Sequence, residues 1–466
     1  MVRLALERVP MHYPARRMEL EALQRTIIQG RDAETLRKSE KTPHFSKLPV
    51  ELMSEVFLFT TEADSAFPAS ACLVCSHWRT IALSMPILWQ RVTLSHMAPV
   101  KKLALWLERS KNRIRYLRIR NTISKLQLSD ALGVCRPEIF CSLKSVHCEV
   151  DLVLLTSRLL NIQDKLNLED IHLSLPDHQN ISLSTLGPLV PLDRMSTVRS
   201  LILDYVTTDW SIVAPRLSHL RILIIRTRYE GAPGTEQLYE LLSSNSNLEK
   251  LVLETGSATE VGHFRSKSRI TLPHLLHLEL LGPMRAGMLV AQLFLPRLEC
   301  FAISRCLSPA DRVMDALEPP SMAISELSLQ TCHFSTERLA SILRTMPNLT
   351  KLEITHSASA MDAVVDAVAS SHQVAGETKL VCPLLKHVNL SHCTSLNGGP
   401  IVRLVKPRLT ESTDALSTSS RTSVPAKIES IYIDCCPNID PSVPEWLKSQ
   451  VKIGRASCRE RVSPYV

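Results

Sequence analysis

The sequence predicts a mixed α/β chain, in which a small all-α module precedes an irregular solenoid of strand–helix coils around a parallel sheet. Three observations lead there. One apolar phrase recurs through most of the chain. Helix-spaced apolar residues fill several intervals between its copies. A short upstream stretch, Lys47 to Leu94, carries compact helical spacing instead.

The phrase is L-x-x-L-x-L, with Ile, Val, Phe or Cys tolerated. It occurs at 114–119, 143–148, 168–173, 198–203, 217–222, 248–253, 275–280, 298–303, 324–329, 349–354, 385–390 and 428–433. Most copies start 23 to 31 residues apart; one interval is short at 19, and the last two are 36 and 43. That period is the range of leucine-rich repeats. The alternating apolar positions point a strand's inward side chains into one core. Four copies add a cysteine three residues later, at Cys306, Cys332, Cys393 and Cys436. A small, buried, weakly hydrogen-bonding side chain suits the turn under the next coil.

Helices are expected between strands. Leu339, Ile342, Leu343 and Met346 fall at i, i+3, i+4, i+7, with Ser335 or Thr336 as N-cap. Leu238, Leu241 and Leu242 form a second such set, and Val364, Val365 and Val368 a third. Each coil buries its apolar face only against its neighbours, so the array is one cooperative body.

Four segments follow from these patterns. Residues 1–42 form an N-terminal amphipathic helical segment, with Met18, Leu20, Leu23, Ile27 and Leu36 as its apolar positions. Residues 43–94 form the all-α module, and 95–450 the solenoid. Within the solenoid, 408–427 is a Ser/Thr-rich mobile insertion. Residues 451–466 form a disordered tail from Ile453 onward; Ile453 to Val462 resembles the translation of a sequencing-adaptor read-through. In the module, Pro49 sits at a helix start, where its missing N–H costs nothing. Leu52, Val56 and Phe59 form a stripe, and Cys72, Leu73, Cys75, Trp78 and Ile81 run through the later helices. Cys72 and Cys75 have metal-ligand spacing, but no second pair supplies a fourfold site, so a buried helix is the reading there and no metal is expected.

The segment LPVELMSEVF followed by ACLVCSHWRTIALSMPILWQRV resembles the F-box. The match rests on Leu48-Pro49, Glu51-Leu52, Val56-Phe57, Leu73-Val74-Cys75, Trp78 and the ending Ser84 to Trp89. Together with the irregular repeats it is similar to F-box domain-containing proteins of mushroom-forming (basidiomycete) fungi. The resemblance implies a substrate-recognition subunit of an SCF-type cullin-RING ubiquitin ligase. Such a subunit is a non-catalytic adaptor that binds a Skp-type adaptor, and through it cullin, with its F-box, and a protein substrate with its repeats. On that reading Leu48, Pro49, Leu52, Val56, Val74, Cys75, Trp78 and Trp89 form the adaptor interface or its immediate support. Arg118, His147, His172, Arg221, Glu279, Glu353 and Tyr432 occupy the middle outward position of their copies and are the candidate substrate-binding residues. A scaffold that does not drive degradation is the alternative.

Other classes fit less well. The 13 Gly and the lack of GxxxxGK[ST] or GxGxxG argue against glycine-looped nucleotide sites, and neither HExxH nor GxSxG occurs. No catalytic centre or cofactor is therefore expected. The net charge of +8 is spread along the chain, and the one dense basic stretch, Arg113, Arg115, Arg118 and Arg120, is short, which argues against nucleic-acid binding. No apolar run reaches the roughly 18 residues of a membrane span, and Glu7 and Pro10 interrupt any signal core. The expected location is the cytoplasm, the nucleus or both, with the cysteines reduced.

Overall fold

A computed structural model describes residues 48–133, 139, 142–149, 168–174, 197–206, 208–227, 232–255, 269–282, 289–305, 313, 317, 323–374, 377–409 and 425–453. The expected helix in 1–42 and Cys306 lie outside these residues. The chain divides into two units, Met1–Pro176 and Asp177–Val466.

The first unit opens with helices α1 (Val50–Ala63), α2 (Phe67–Ala71) and α3 (Ser76–Ser84) and a 3-10 turn at Pro86–Gln90. Four strands follow: β1 (Arg91–Leu94), β2 (Tyr116–Ile119), β3 (Ser145–Cys148) and β4 (Asp170–Ser174). They pair in chain order and in parallel. Helix α4 (Pro99–Arg109) and helix α5 (Lys125–Gly133) bury Leu103, Trp106, Leu107, Leu128 and Leu132 behind them. β1 shows that the repeat begins one coil earlier than the periodicity indicated. Trp89, Val92 and Leu94 stand where Ile114, Leu117 and Ile119 stand in the next coil, and all six are buried. Tryptophan in the first position hid this copy. The expected boundary at residue 94 therefore falls just behind a strand that already belongs to the sheet.

In the second unit the described strands are β5 (Ser200–Asp204), β6 (Ile222–Thr227), β7 (Lys250–Thr255), β8 (Ile270–Thr271), β9 (His277–Leu281), β10 (Leu293–Phe294), β11 (Cys300–Ser304), β12 (Glu326–Gln330), β13 (Lys351–Thr355), β14 (Ser371–Val374), β15 (Glu377–Leu380), β16 (His387–Asn389), β17 (Ser430–Tyr432) and β18 (Lys452–Ile453). Ten of them form one parallel sheet, β5-β6-β7-β9-β11-β12-β13-β16-β17-β18. β8 and β10 make a separate parallel pair, and β14 and β15 an antiparallel hairpin. Helices α6 (Trp210–Val213), α7 (Thr235–Ser243), α8 (Thr336–Leu343), α9 (Met361–Ala369), α10 (Gly398–Leu409) and α11 (Ser442–Gln450) fill intervals between strands. The helix-spaced sets are buried on α7, α8 and α9, and Ser335 caps α8 by accepting from the Arg338 N–H at 3.3 Å.

Eleven of the twelve phrases coincide with sheet strands. The phrase at 217–222 is displaced. β6 pairs Leu223 with Leu251 and Ile225 with Leu253, so the true copy is Leu220 to Ile225. A second set of apolar residues three positions upstream imitated the pattern, and the short interval came from this slip. Buried Asn245 fixes the true register: it accepts from the Leu220 N–H and donates to the carbonyls of Leu217 and Leu241, each at 2.7 Å.

Seven turns out of strands in the second unit share one construction. Tyr205, Gly282, Arg305, Thr331, His356, His392 and Cys435 follow their strands at equivalent register, and all have positive φ. The left-handed bend lets six of these N–H groups reach the next strand's carbonyls, at Arg226, Ser304, Gln330, Thr355, Ser391 and Asp434. The strain, roughly 1–2 kcal/mol for a residue with a Cβ, is offset by a backbone bond that would otherwise be missing. One residue further on, the thiols of Cys332, Cys393 and Cys436 donate to the carbonyls of Ile303, Ile354 and Leu390 in the preceding coil, at 3.7, 3.3 and 3.2 Å. These cysteines are structural.

The ends of the expected loop 408–427 are ordered: Arg408 lies buried in α10, and the Ala426 N–H donates to the Pro383 carbonyl at 2.7 Å. Residues 410–424 lie outside the described residues. Lys452 and Ile453 pair with β17, so the expected disorder does not begin at Ile453; residues 454–466 are outside the description. Among the described residues no helix is long and apolar enough to cross a membrane.

Candidate functional site: a docking module and a repeat face

The module at the head of the first unit holds together through aromatic side chains. α1 turns Met53, Phe57 and Thr61 inward. Phe57 meets Phe67 and Trp78 edge to face, with ring centroids 5.2 and 5.0 Å away. Trp89 is fully buried; it donates from Nε1 to the Ala82 carbonyl at 2.8 Å, packs edge to face on Trp106 and lies under the Arg109 guanidinium. Trp78 and Trp89 were expected at or next to an adaptor interface. Their burial makes them internal supports, because a side chain already enclosed on all sides has no face to offer a partner.

The opposite face of α1 carries Leu52 (44% exposed) and half-buried Val56, one turn from each other, with exposed Pro49 and half-buried Leu48 at the helix start. Between α2 and α3 the chain makes a turn rather than the buried helix expected around Cys72 and Cys75. Leu73 is 82% and Val74 50% exposed, and the exposed Cys75 caps α3, its sulfur accepting from the Trp78 N–H at 3.4 Å. Val50, Leu83 and Ile87 are also exposed. Sequence reasoning missed these three, because an apolar residue on a helix reads first as core. Of the ten exposed large apolar residues among those described, six belong to this module. Such a concentration marks an interaction surface.

The repeat faces carry the second set of candidates. In the first unit Arg118, His147 and His172 do come together on adjacent strands. Arg118 pairs with Glu149 at 2.6 Å, His147 lies 3.4 Å from the same carboxylate, and the rings of His147 and His172 stack at 3.8 Å. Burial opposes ionisation of Glu149, but the Arg118 hydrogen bond and charge, with His147, outweigh it and hold the carboxyl below its ordinary value.

In the second unit Glu279 and Glu353 line one groove of about 390 Å³ on the outer face of β9, β11, β12 and β13. Between them the middle positions are Ala302 and Ser328, and these short side chains leave the hollow. Tyr432 keeps the middle position on β17, away from the groove lining. Arg221 does not belong to this set. With the register corrected, the middle residue of its coil is Ile224, and Arg221 precedes the strand, where it forms an ion pair with Glu249. Among the described residues no group of three or more His, Cys, Asp or Glu is placed to hold a metal ion.

Residues 45–95 match the F-box-like family. Among solved structures, the crystal structure of the Rad7 and Elc1 complex in yeast is similar to this chain. Identity is 13%, covering 93% of this chain and 97% of that one, with a TM-score of 0.36. No curated protein matches the chain. The chain thus carries an F-box-like domain at residues 45–95, with a parallel repeat sheet that starts inside it and continues beyond.

Proposed function

We propose that this protein is a substrate receptor of an SCF-type cullin-RING ubiquitin ligase. Its F-box-like domain binds a Skp-type adaptor and, through it, cullin; its repeat sheet holds a protein client. The receptor itself performs no catalysis and works in the cytoplasm, the nucleus or both. The observation that carries this reading is the crowding of exposed apolar side chains, Leu52, Leu73 and Val74 among them, onto the surface of the F-box-like domain while Met53, Phe57 and Trp89 are buried beneath. Covering that surface with a partner helix removes it from water at roughly 25 cal/mol per Å², and a few anchors dominate such interfaces. The adaptor contacts fall to Leu48, Pro49, Leu52, Val56, Val74 and Cys75, with Trp78 and Trp89 as their support.

The Leu48→Ala/Pro49→Ala variant tests it. Co-purification of the Skp-type adaptor is expected to fall at least tenfold while thermal stability stays close to that of the parent. Undiminished recovery of adaptor by the folded variant would count against the proposal. Deletion of the gene, with and without proteasome inhibition, then separates a degradative receptor from a scaffold by whether clients accumulate.

A further inference from the structure

The groove over β9, β11, β12 and β13 has a charge pattern that its own residues do not balance. Its lining includes the carboxylates of Glu279, Glu326 and Glu353 and the cations of Arg305 and Lys351. Lys351 is engaged by Glu326 at 3.5 Å, and Arg305 acts on Glu254, outside the groove. Glu279 and Glu353 stand one at each end; Lys250 and Arg226, outside the lining, act on Glu279, and no cation of the lining is engaged with Glu353. Glu353 accepts from the amides of Gln330 and Asn389 at 3.2 and 3.1 Å, both on Oε1; neutral donors orient a carboxylate without cancelling its charge. Glu279 meets the His277 ring at 3.4 Å, and this hydrogen bond, opposed by burial, holds its carboxyl below the ordinary value. Both carboxylates are therefore held in place by hydrogen bonds at the two ends of the groove.

The space between them matches an elongated cation. Glu279 and Glu353 stand three strand spacings apart, about 14 Å between backbones. The floor of Ala302 and Ser328 is shallow and partly apolar, suited to the methylene stem of a long side chain, which lies on apolar surface while its charged head reaches a polar partner. We propose that this groove is the subsite for a basic side chain, arginine or lysine, presented by the client protein. The inference rests on the receptor reading above and assigns the class of residue that the client must offer. An arginine would lay its stem along the floor and fork its guanidinium onto one of the two carboxylates.

The test uses the full chain purified with its Skp-type adaptor. The probes are fluorescein-labelled nine-residue Gly/Ser peptides with a central Arg, Lys, Ala or Glu, followed by anisotropy at low salt. The Arg and Lys peptides are expected to bind at least tenfold more tightly than the Ala peptide, and the Glu peptide not at all. Glu279→Gln/Glu353→Gln should abolish the difference, while Glu429→Gln, outside the groove, should leave it intact. Equal binding of the Arg and Ala peptides, or preference unaltered by the double substitution, overturns the proposal. If preference emerges only after removal of 454–466, which carries Arg455, Arg459 and Arg461, the occupant is the chain's own tail and the client assignment is overturned. Retention of adaptor by the Glu279/Glu353 variant is read separately: its presence with no peptide preference sinks the groove and leaves the docking reading standing.

Discussion

At the residue scale, one tryptophan and two aliphatic residues of the same domain have opposite roles. Trp89 is enclosed by Ala82, Trp106 and Arg109. Leu52 and Val74 face water. Trp89→Ala should cost about 3–5 kcal/mol, the range for deleting a large aromatic from a core, measured as a lowered urea midpoint. Leu52→Ala/Val74→Ala should cost less than about 1 kcal/mol by the same measurement and yet lose the adaptor. Arg408 shows the same dependence on surroundings. Its side chain donates to the carbonyls of Leu404, Val368, Val381 and Cys382, tying α10 to the chain around the β14–β15 hairpin, and Nε is left without a partner among the described residues. Burial lowers its pKa and pushes the neighbouring Cys382 thiol up to about 12. Nothing in the Ser/Thr-rich sequence that follows Arg408 marks it as a buried clamp, because a lone arginine beside a polar stretch reads as surface.

At the element scale, the exits of β13 and β16 place the rings of His356 and His392 in a stack, centroids 4.2 Å apart. Burial, and then the charge of His392, lower the pKa of His356 below its ordinary value. The unfolded chain therefore takes up a proton at a higher pH than the folded one. Neutral His356 favours the folded state above the unfolded value of about 6.5, and that contribution is lost as pH falls below it toward the lower folded value. His356→Asn, which tolerates the positive φ, is expected to flatten the fall in melting temperature between about pH 7.5 and 5.5, as read by differential scanning calorimetry. An unchanged slope would count against the coupling. The stack itself follows from register, since both residues lie the same distance beyond the start of their phrases. Sequence spacing contains that information, but only once the strands are known to pair without slippage.

At the scale of the whole molecule, the F-box-like domain and the first coil share their residues. Trp89 ends the helical domain and is also the first inward position of the repeat, and its ring packs on Trp106 of α4. A fragment of residues 45–95 lacks that cover and should melt without a cooperative transition. A fragment of 45–149, which restores α4, β2, α5 and β3, should melt cooperatively by circular dichroism. A cooperative transition in the shorter fragment would show that the domain closes its own core.

Residue order by itself determined the parallel repeat sheet, the inward columns of leucine, the helices of the later coils and the presence of an F-box-like domain. These rest on periodicity, and the burial of apolar side chains enforces periodicity everywhere along the chain. Tertiary structure decided which apolar residues of the module stay in water, where the displaced coil truly starts, and that Glu279 and Glu353, 74 residues apart in sequence, share one groove. Each of those depends on what packs against a side chain from a neighbouring strand or helix, and short-range spacing carries no record of that neighbour.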